Sequence, residues 1–211
     1  MRTKLDARRR QPGGDGAARE RLEQLVAEAK KLGLKAVSVV GDAREEETAR
    51  RIDILINNAG VGYYKNLVDT SAEEYAEMMD TNMRSSFLFS RHVVPVMIKQ
   101  RSGVVLMIWS MAGAYGFAGE AAYCATKFAQ VGFAQGLDKE LRPYGIKVGT
   151  INPGCVKTEF AIGKGRTEEG VAKSGMLEAE DVAEVVLFAC TQSRGSRIIQ
   201  IQIGTMAESL T

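Results

Sequence analysis

Val104-Val105-Leu106-Met107-Ile108-Trp109-Ser110 is the stretch on which the fold turns. Six apolar residues in succession, without polar alternation, suit a strand covered on both faces, as in a parallel sheet. Ser110 follows at the carboxyl end, the rim where open α/β sheets bind ligands. Two further runs have the same form. Asp53-Ile54-Leu55-Ile56 lies upstream and ends in Asn57-Asn58-Ala59-Gly60. Ile146-Lys147-Val148-Gly149-Thr150-Ile151 lies downstream and ends in Asn152-Pro153-Gly154, followed by Val156-Lys157-Thr158. Strands that each end in a turn of Asn, Gly and Pro, separated by helix-length segments, predict a single α/β domain.

The loop after Ser110 leads to Tyr123-Cys124-Ala125-Thr126-Lys127, with the Tyr thirteen positions beyond the Ser. Residues four apart share a helix face, so phenol and ammonium would lie side by side. A free phenol has a pKa of about 10, too high for a proton shuttle at neutral pH. An ammonium some 4 Å away at an effective dielectric near 20 would favour the phenolate by about 4 kcal/mol, roughly three pKa units. The pair would thus suit general acid/base chemistry. Alone, such spacing is common on helices, and most such pairs are a half-buried ring beside a solvated charge. Its position after Ser110 and between two strand-end turns gives it weight.

At this point the chain resembles the short-chain dehydrogenase/reductase family. The matching pieces are Asn57-Asn58-Ala59-Gly60, Asn82, Ser110, Tyr123 with Lys127, and Pro153-Gly154 with Thr158, in the family's order and spacing from about residue 37 onward. The resemblance implies a Rossmann-like, doubly wound parallel sheet and an NAD(P)-dependent exchange between a carbonyl and an alcohol. It implies Tyr123 as proton donor to the carbonyl and Ser110 as the group hydrogen-bonded to it. Lys127 would bind the nicotinamide ribose and lower the Tyr pKa, and Asn82 would hold a water relaying protons to Lys127. Asp42 and Asn58-Ala59-Gly60 would line the adenine side of the cofactor groove, while Pro153, Gly154 and Thr158 would hold the carboxamide. Read without the family, Asn82 is a solvent-facing or helix-bending residue, Asp42 a helix cap, and the Asn-Gly and Pro-Gly stretches plain turns.

The family pattern is not complete. A dinucleotide fold opens with a strand and a Gly-rich turn that approaches the pyrophosphate. Gly13, Gly14 and Gly16 have no apolar strand before them and read as a flexible linker, with residues 1–16 irregular or frayed. The expected sheet therefore lacks its first βα unit. Without that central strand, a slot of about 10 Å would separate its neighbours, too wide for a backbone hydrogen bond. Only residues 43–51 separate Asp42 from the next strand, a short crossover. Two explanations stay open: an incomplete version of a longer enzyme, or a remnant that no longer binds cofactor.

The remaining elements follow from periodicity. Leu22, Leu25, Val26, Ala29 and Leu32 share a face of a helix over residues 17–32, with Gly33 as its stop. Ser71-Ala72-Glu73-Glu74 is a capping box opening a helix with Tyr75, Met78, Met79 and Asn82, and Pro95 should bend that helix or mark its late part. The resemblance implies that this helix and the Tyr helix pair with their counterparts in a second subunit, so Phe87, Phe89, Phe128 and Phe133 are candidates for core or interface, with core favoured. Residues 180–189 form a helix, and residues 198–203 an alternating last strand.

With 211 residues, 45% hydrophobic and 26% charged, the chain supports one sizeable core. A net charge of +2 implies no nucleic-acid partner, and no segment has the length to cross a membrane. Three separated cysteines argue against a disulfide framework and fit a reducing cytoplasm, and the single histidine, His92, supports neither a metal site nor a Ser-His triad. Arg8-Arg9-Arg10 would suit the 2′-phosphate of NADP and Asp6 the 2′-hydroxyl of NAD; a solvated terminal charge run fits equally. NADP is expected, with NAD possible.

The resemblance implies a substrate lid over residues 158–178, which offers Phe160, Ile162, Val171, Met176 and Leu177 and points to no substrate. Gly204-Thr205-Met206 after the last strand is similar to broad reductases of carbonyls or small hydroxy acids. The expectation is an oxidoreductase acting on a small carbonyl or alcohol as a homodimer or homotetramer. The alternative is a non-catalytic family remnant that dimerises with intact relatives.

Overall fold

The computed structural model describes residues 51–207, Ser174 excepted. The predicted helix over residues 17–32, the early glycines, the Arg8 to Arg10 run and Asp42 lie outside the described residues.

Four strands form one parallel sheet: β1 (Ile54–Asn57), β2 (Gly103–Ile108), β3 (Ile146–Pro153) and β4 (Gln200–Ile203), in that spatial order. Every described pairing is parallel, with Asn57 opposite Met107, Met107 opposite Thr150, and Pro153 opposite Ile203. All four carboxyl ends therefore reach one rim. The doubly wound α/β fold is as expected from the apolar runs, and β3 extends two residues further, through Asn152 and Pro153.

Between β1 and β2 the chain forms α1 (Ala72–Met78), a π-turn (Met79–Arg84) and α2 (Ser85–Gln100). Ser71 and Glu74 form the predicted reciprocal capping box. Pro95 falls late in α2, which ends where Arg101 turns left-handed at φ 53°. Between β2 and β3 a short 3₁₀ turn (Met111–Gly113) precedes α3 (Ala121–Leu141), the longest described helix. Two short helices, α4 (Glu168–Lys173) and α5 (Ala179–Cys190), separate β3 from β4.

Side-chain alternation divides the core into two layers. Val105, Met107, Ile146 and Val148 pack with Val93 and Met97 of α2 and with Ala134 and Leu141 of α3. On the other face Leu106, Ile108 and Ile151 pack with Ala189 of α5. Each such side chain contributes about 1.5–3 kcal/mol on leaving water; β2 holds no polar residue between those layers, whereas β3 buries Thr150 and Asn152 towards its carboxyl end.

Of the four phenylalanines, Phe133 is half-buried and packs against the core, while the core reading of the other three is corrected. Phe89 is 45% exposed and Phe128 49% exposed, and Phe87 is comparably open while stacking edge-on against Phe133. The sheet covers one side only of α2 and α3, and Phe87, Phe89 and Phe128 lie on the side turned away from it.

Candidate active site

The site is built outward from the end of β2. Ser110 is extended, and its Oγ accepts a hydrogen bond from the Ala112 N–H at 3.2 Å, capping the 3₁₀ turn. That turn closes against Trp109: a Cβ on Gly113 would lie 1.9 Å from the indole ring. Only glycine fits there, and the close approach aims the chain back towards the rim as α3 begins.

Tyr123 and Lys127 lie one turn apart on the buried side of α3, both less than 5% exposed. Lys127 Nζ sits 5.5 Å from the centroid of the Tyr123 ring. Thr126, between them in sequence, donates from Oγ1 to the Tyr123 carbonyl at 2.8 Å and accepts from Asn82 Nδ2 at 2.9 Å.

Asn82 is fully buried in the π-turn and does not face solvent. The extra residue of a π-turn swings its side chain inward. Its amide pairs with the Val61 backbone as a strand would, Oδ1 accepting from N–H at 2.8 Å and Nδ2 donating to C=O at 2.9 Å. Its own carbonyl accepts from Gln130 Nε2 at 2.7 Å and from Ser86 Oγ at 2.8 Å. Both Nδ2 hydrogens and both carbonyl lone pairs are thereby used, and one lone pair of Oδ1 remains.

That lone pair and the Lys127 ammonium face the same place. A Cβ on Gly60 would lie 3.4 Å from Asn82 Oδ1 and 3.6 Å from Lys127 Nζ. Glycine at the end of the Asn57-Asn58-Ala59-Gly60 turn thus leaves room for a small polar group touching both. The structure gives the ammonium no ion pair among the described residues, so a cofactor ribose fits its surroundings. Asn57 is buried and structural, donating from Nδ2 to Ser90 Oγ and Met107 Sδ, whereas Asn58 and Ala59 are exposed along the turn.

Burial governs the titration of both reactive groups. It pushes the Tyr123 phenol well above its ordinary value, helped by Tyr64 and opposed by a hydrogen bond with Ser110. It pushes Lys127 down to about 8. Lys127 is not among the groups that set the phenol's shift; its ammonium lies over the ring, and burial dominates.

On the next strand end, Pro153 closes β3 and the Gly154 N–H donates to the Ile203 carbonyl at 2.8 Å. Thr158 follows on the exposed lid, its Oγ1 accepting from the Phe160 N–H at 3.3 Å. Asn152 was read only as part of a turn, yet both polar atoms of its amide are buried with no hydrogen-bond partner among the described residues.

Sequence reasoning missed the wall opposite Lys127. Tyr64 and Phe160 each stand 5.8 Å from Tyr123, ring to ring, and the Arg166 guanidinium lies 5.4 Å from Tyr64 and 5.9 Å from Phe160. The Tyr64 N–H donates to the Lys164 carbonyl at 2.8 Å, while Lys164 Nζ reaches Glu77 at 3.1 Å. These bonds fasten the lid to the loop after β1. A tight lid turn was signalled by Gly163 and Gly165, both at positive φ, but not its destination. A separate open cavity of about 780 Å³ lies between α5 and the end of β4, lined by Val185, Phe188 and Ile203. It touches none of Ser110, Tyr123 or Lys127, so volume alone does not mark the chemistry.

The family model described as short chain dehydrogenase matches residues 16–169, more than half of the chain. The chain belongs to the short-chain dehydrogenase family. Similar to it is the NADP-dependent 3-hydroxy acid dehydrogenase of Schizosaccharomyces pombe, 33% identical over 75% of this chain and 63% of that protein. Among solved structures, the closed form of serine dehydrogenase complexed with NADP⁺ is 29% identical, with a TM-score of 0.74 over 87% of this chain and 80% of its own. NAD⁺-bound xylitol dehydrogenase is 26% identical, with a TM-score of 0.74 over 88% of this chain and 84% of its own. The chain spans about two thirds of the length of the curated relatives it matches. As a member of this family it is an NAD(P)-dependent oxidoreductase, and the non-catalytic alternative is not favoured. Among the described residues no helix is long and apolar enough to cross a membrane, and no cluster of metal-ligating side chains occurs.

Proposed function

We propose that the chain interconverts a small carbonyl compound and its alcohol, with NADP preferred over NAD. The observation carrying this is the group of half-buried Ser110 with buried Tyr123 and Lys127 at the rim, with Asn82 Oδ1 and Lys127 Nζ converging beside Gly60. The nicotinamide cofactor supplies or accepts a hydride when bound. Asn58, Ala59, Gly60 and Lys127 would hold it on one side and Pro153, Gly154 and Thr158 on the other.

The chain's own residues handle the proton. Tyr123 gives its phenolic proton to the developing alkoxide, and Ser110 Oγ hydrogen-bonds the same oxygen, stabilising charge where it forms. A phenol held protonated by burial is well suited to the donor role. Lys127, poised near pH 8, returns a proton towards the phenolate, and a water beside Gly60, held by donating to Asn82 Oδ1, would resupply a proton to Lys127. Both named NADP-linked relatives support the NADP preference; the NAD⁺-bound structure is the counterweight.

We also place the chain in a homodimer or homotetramer built on α2 and α3, whose outward rings Phe87, Phe89 and Phe128 support a subunit contact. Cys124, Cys155 and Cys190 form no disulfide, which suits a reducing cytoplasm.

Calorimetric titration with NADPH and NADH, paired with turnover of Tyr123→Phe, tests the proposal. NADPH should bind the more tightly, and the variant should keep that binding while turnover drops by about 10²–10⁴-fold. Turnover that survives without the hydroxyl removes Tyr123 from the proton-donor role.

A further inference from the structure

Arg166 is a half-buried cation whose position is unexplained by the reaction. Its guanidinium lies against two aromatic rings, Tyr64 at 5.4 Å and Phe160 at 5.9 Å, and both rings pack directly on Tyr123. Its polar contacts are long: the Val156 carbonyl at 3.5 Å and Cys155 Sγ at 3.5 Å. Among the described residues no carboxylate forms an ion pair with it, although the neighbouring lid lysines are paired, Lys157 with Glu178 and Lys164 with Glu77. A guanidinium removed from water without a counter-ion is costly, and such groups gather where a ligand supplies the missing charge.

The surroundings narrow the ligand. Arg166 acts electrostatically on Tyr123, Tyr64 and the Glu120 carboxyl, so its charge reaches the phenol. Glu120 stands at the N-terminal boundary of α3, and its half-buried carboxyl is pushed towards the neutral acid by burial, which weakens its claim on Arg166. A single planar fork matches a carboxylate, which accepts two parallel N–H bonds, better than a phosphate needing several donors. Tyr64 and Phe160 touch both Arg166 and Tyr123, so the cation stands one ring away from the phenol.

We propose that Arg166 binds the substrate's carboxylate, so that the reacting alcohol or carbonyl belongs to a short hydroxy or oxo acid held between Arg166 and Tyr123. This rests on the carbonyl–alcohol reading above and assigns its substrate class. Arg166 is a specificity-determining residue that the lid carries into the site: Ala161 and Arg166 are joined by a backbone hydrogen bond of 3.0 Å, and Gly165, at φ 116°, brings that turn against Tyr64. A Cβ on Gly165 would meet the Tyr64 Cβ at 2.4 Å, so no other residue permits this approach.

The test compares an acid with its neutral counterpart. Oxidation of 3-hydroxybutyrate and 2-butanol is measured with NADP⁺ for the parent chain, Arg166→Leu and Arg166→Lys, and acetoacetate and 2-butanone are titrated calorimetrically into each. The parent should prefer the acid. Arg166→Leu should lower kcat/KM for 3-hydroxybutyrate at least tenfold more than for 2-butanol, chiefly through KM, and lose acetoacetate binding while the chain still melts in one cooperative transition. Arg166→Lys should recover part of the loss. Acid and neutral substrates falling together, or a parent that binds acetoacetate no better than 2-butanone, would overturn the assignment. Turnover of 2-butanol without acid preference would sink it while sparing the carbonyl–alcohol reading. Arg166-dependent acetoacetate binding without any turnover would do the reverse.

Discussion

Lys127 shows how one side chain sets function against stability. Burial lowers its pKa from an ordinary 10.5 to about 8. The unfolded chain keeps that proton up to the higher value and the folded chain loses it at the lower. The unfolded state therefore binds more protons between them, and stability rises with pH across that window. Below pH 8 the full penalty of the buried ammonium applies. Lys127→Met should accordingly be more stable than the parent at pH 7, by up to about 3 kcal/mol, with the gap closing towards pH 10. Its NADP-dependent turnover should fall. Urea denaturation at both pH values checks this, and an equal gap at each would exclude the charge as cause. Tyr123 and Lys127 were legible because their spacing places them on one helix face whatever the tertiary fold. The direction of the phenol's shift was not, because desolvation depends on Tyr64 and Phe160, and nothing local to Tyr123 announces them.

Among the elements, the π-turn of Met79–Arg84 has the most influence on the site. It presents Asn82 to Val61 and Thr126 through three hydrogen bonds, two part-buried and one buried. Asn82→Ala would leave the half-buried Val61 N–H and C=O and the buried Thr126 hydroxyl without those partners, a loss of about 2–4 kcal/mol. For a chain of this size, that corresponds to a fall in melting temperature on the order of 10 °C, measurable by scanning calorimetry. A change within one or two degrees would show that the joint is dispensable. The strands were readable because a buried strand needs an unbroken apolar run, and Val104 to Trp109 has no other comfortable place. The π-turn was hidden because its extra residue leaves no mark on composition: Met79 to Arg84 reads as ordinary helix. The lid was hidden for a different reason. Arg166 reaches Tyr64 only through contacts a hundred residues apart in sequence, while its own neighbourhood of Gly and Lys looks like plain loop.

For the whole molecule, the outer side of α2 and α3 is the largest departure from expectation. Sequence reading gave Phe87, Phe89 and Phe128 to the core because rings at helical spacing usually belong there. Their exposure instead follows from a helix layer covered by the sheet on one side alone. Phe89→Glu with Phe128→Glu should shift the assembled form towards monomer in sedimentation velocity, since a buried unpaired carboxylate opposes association. An unchanged sedimentation coefficient would place any contact elsewhere.

The parallel sheet carries one more consequence. Asn57, Ser110, Pro153 and Ile203 come to one rim, yet parallel neighbours are never joined by a tight hairpin, so each arrives only after a long excursion of the chain. No fragment of the sequence holds the reactive arrangement in miniature. Helices α2 and α3 have the local contacts to appear early in refolding, whereas the rim waits for the slow, non-local closures between strands. Catalytic turnover is thus a clock for the last event of folding, and a chain with full helical signal is still chemically silent until that event is complete.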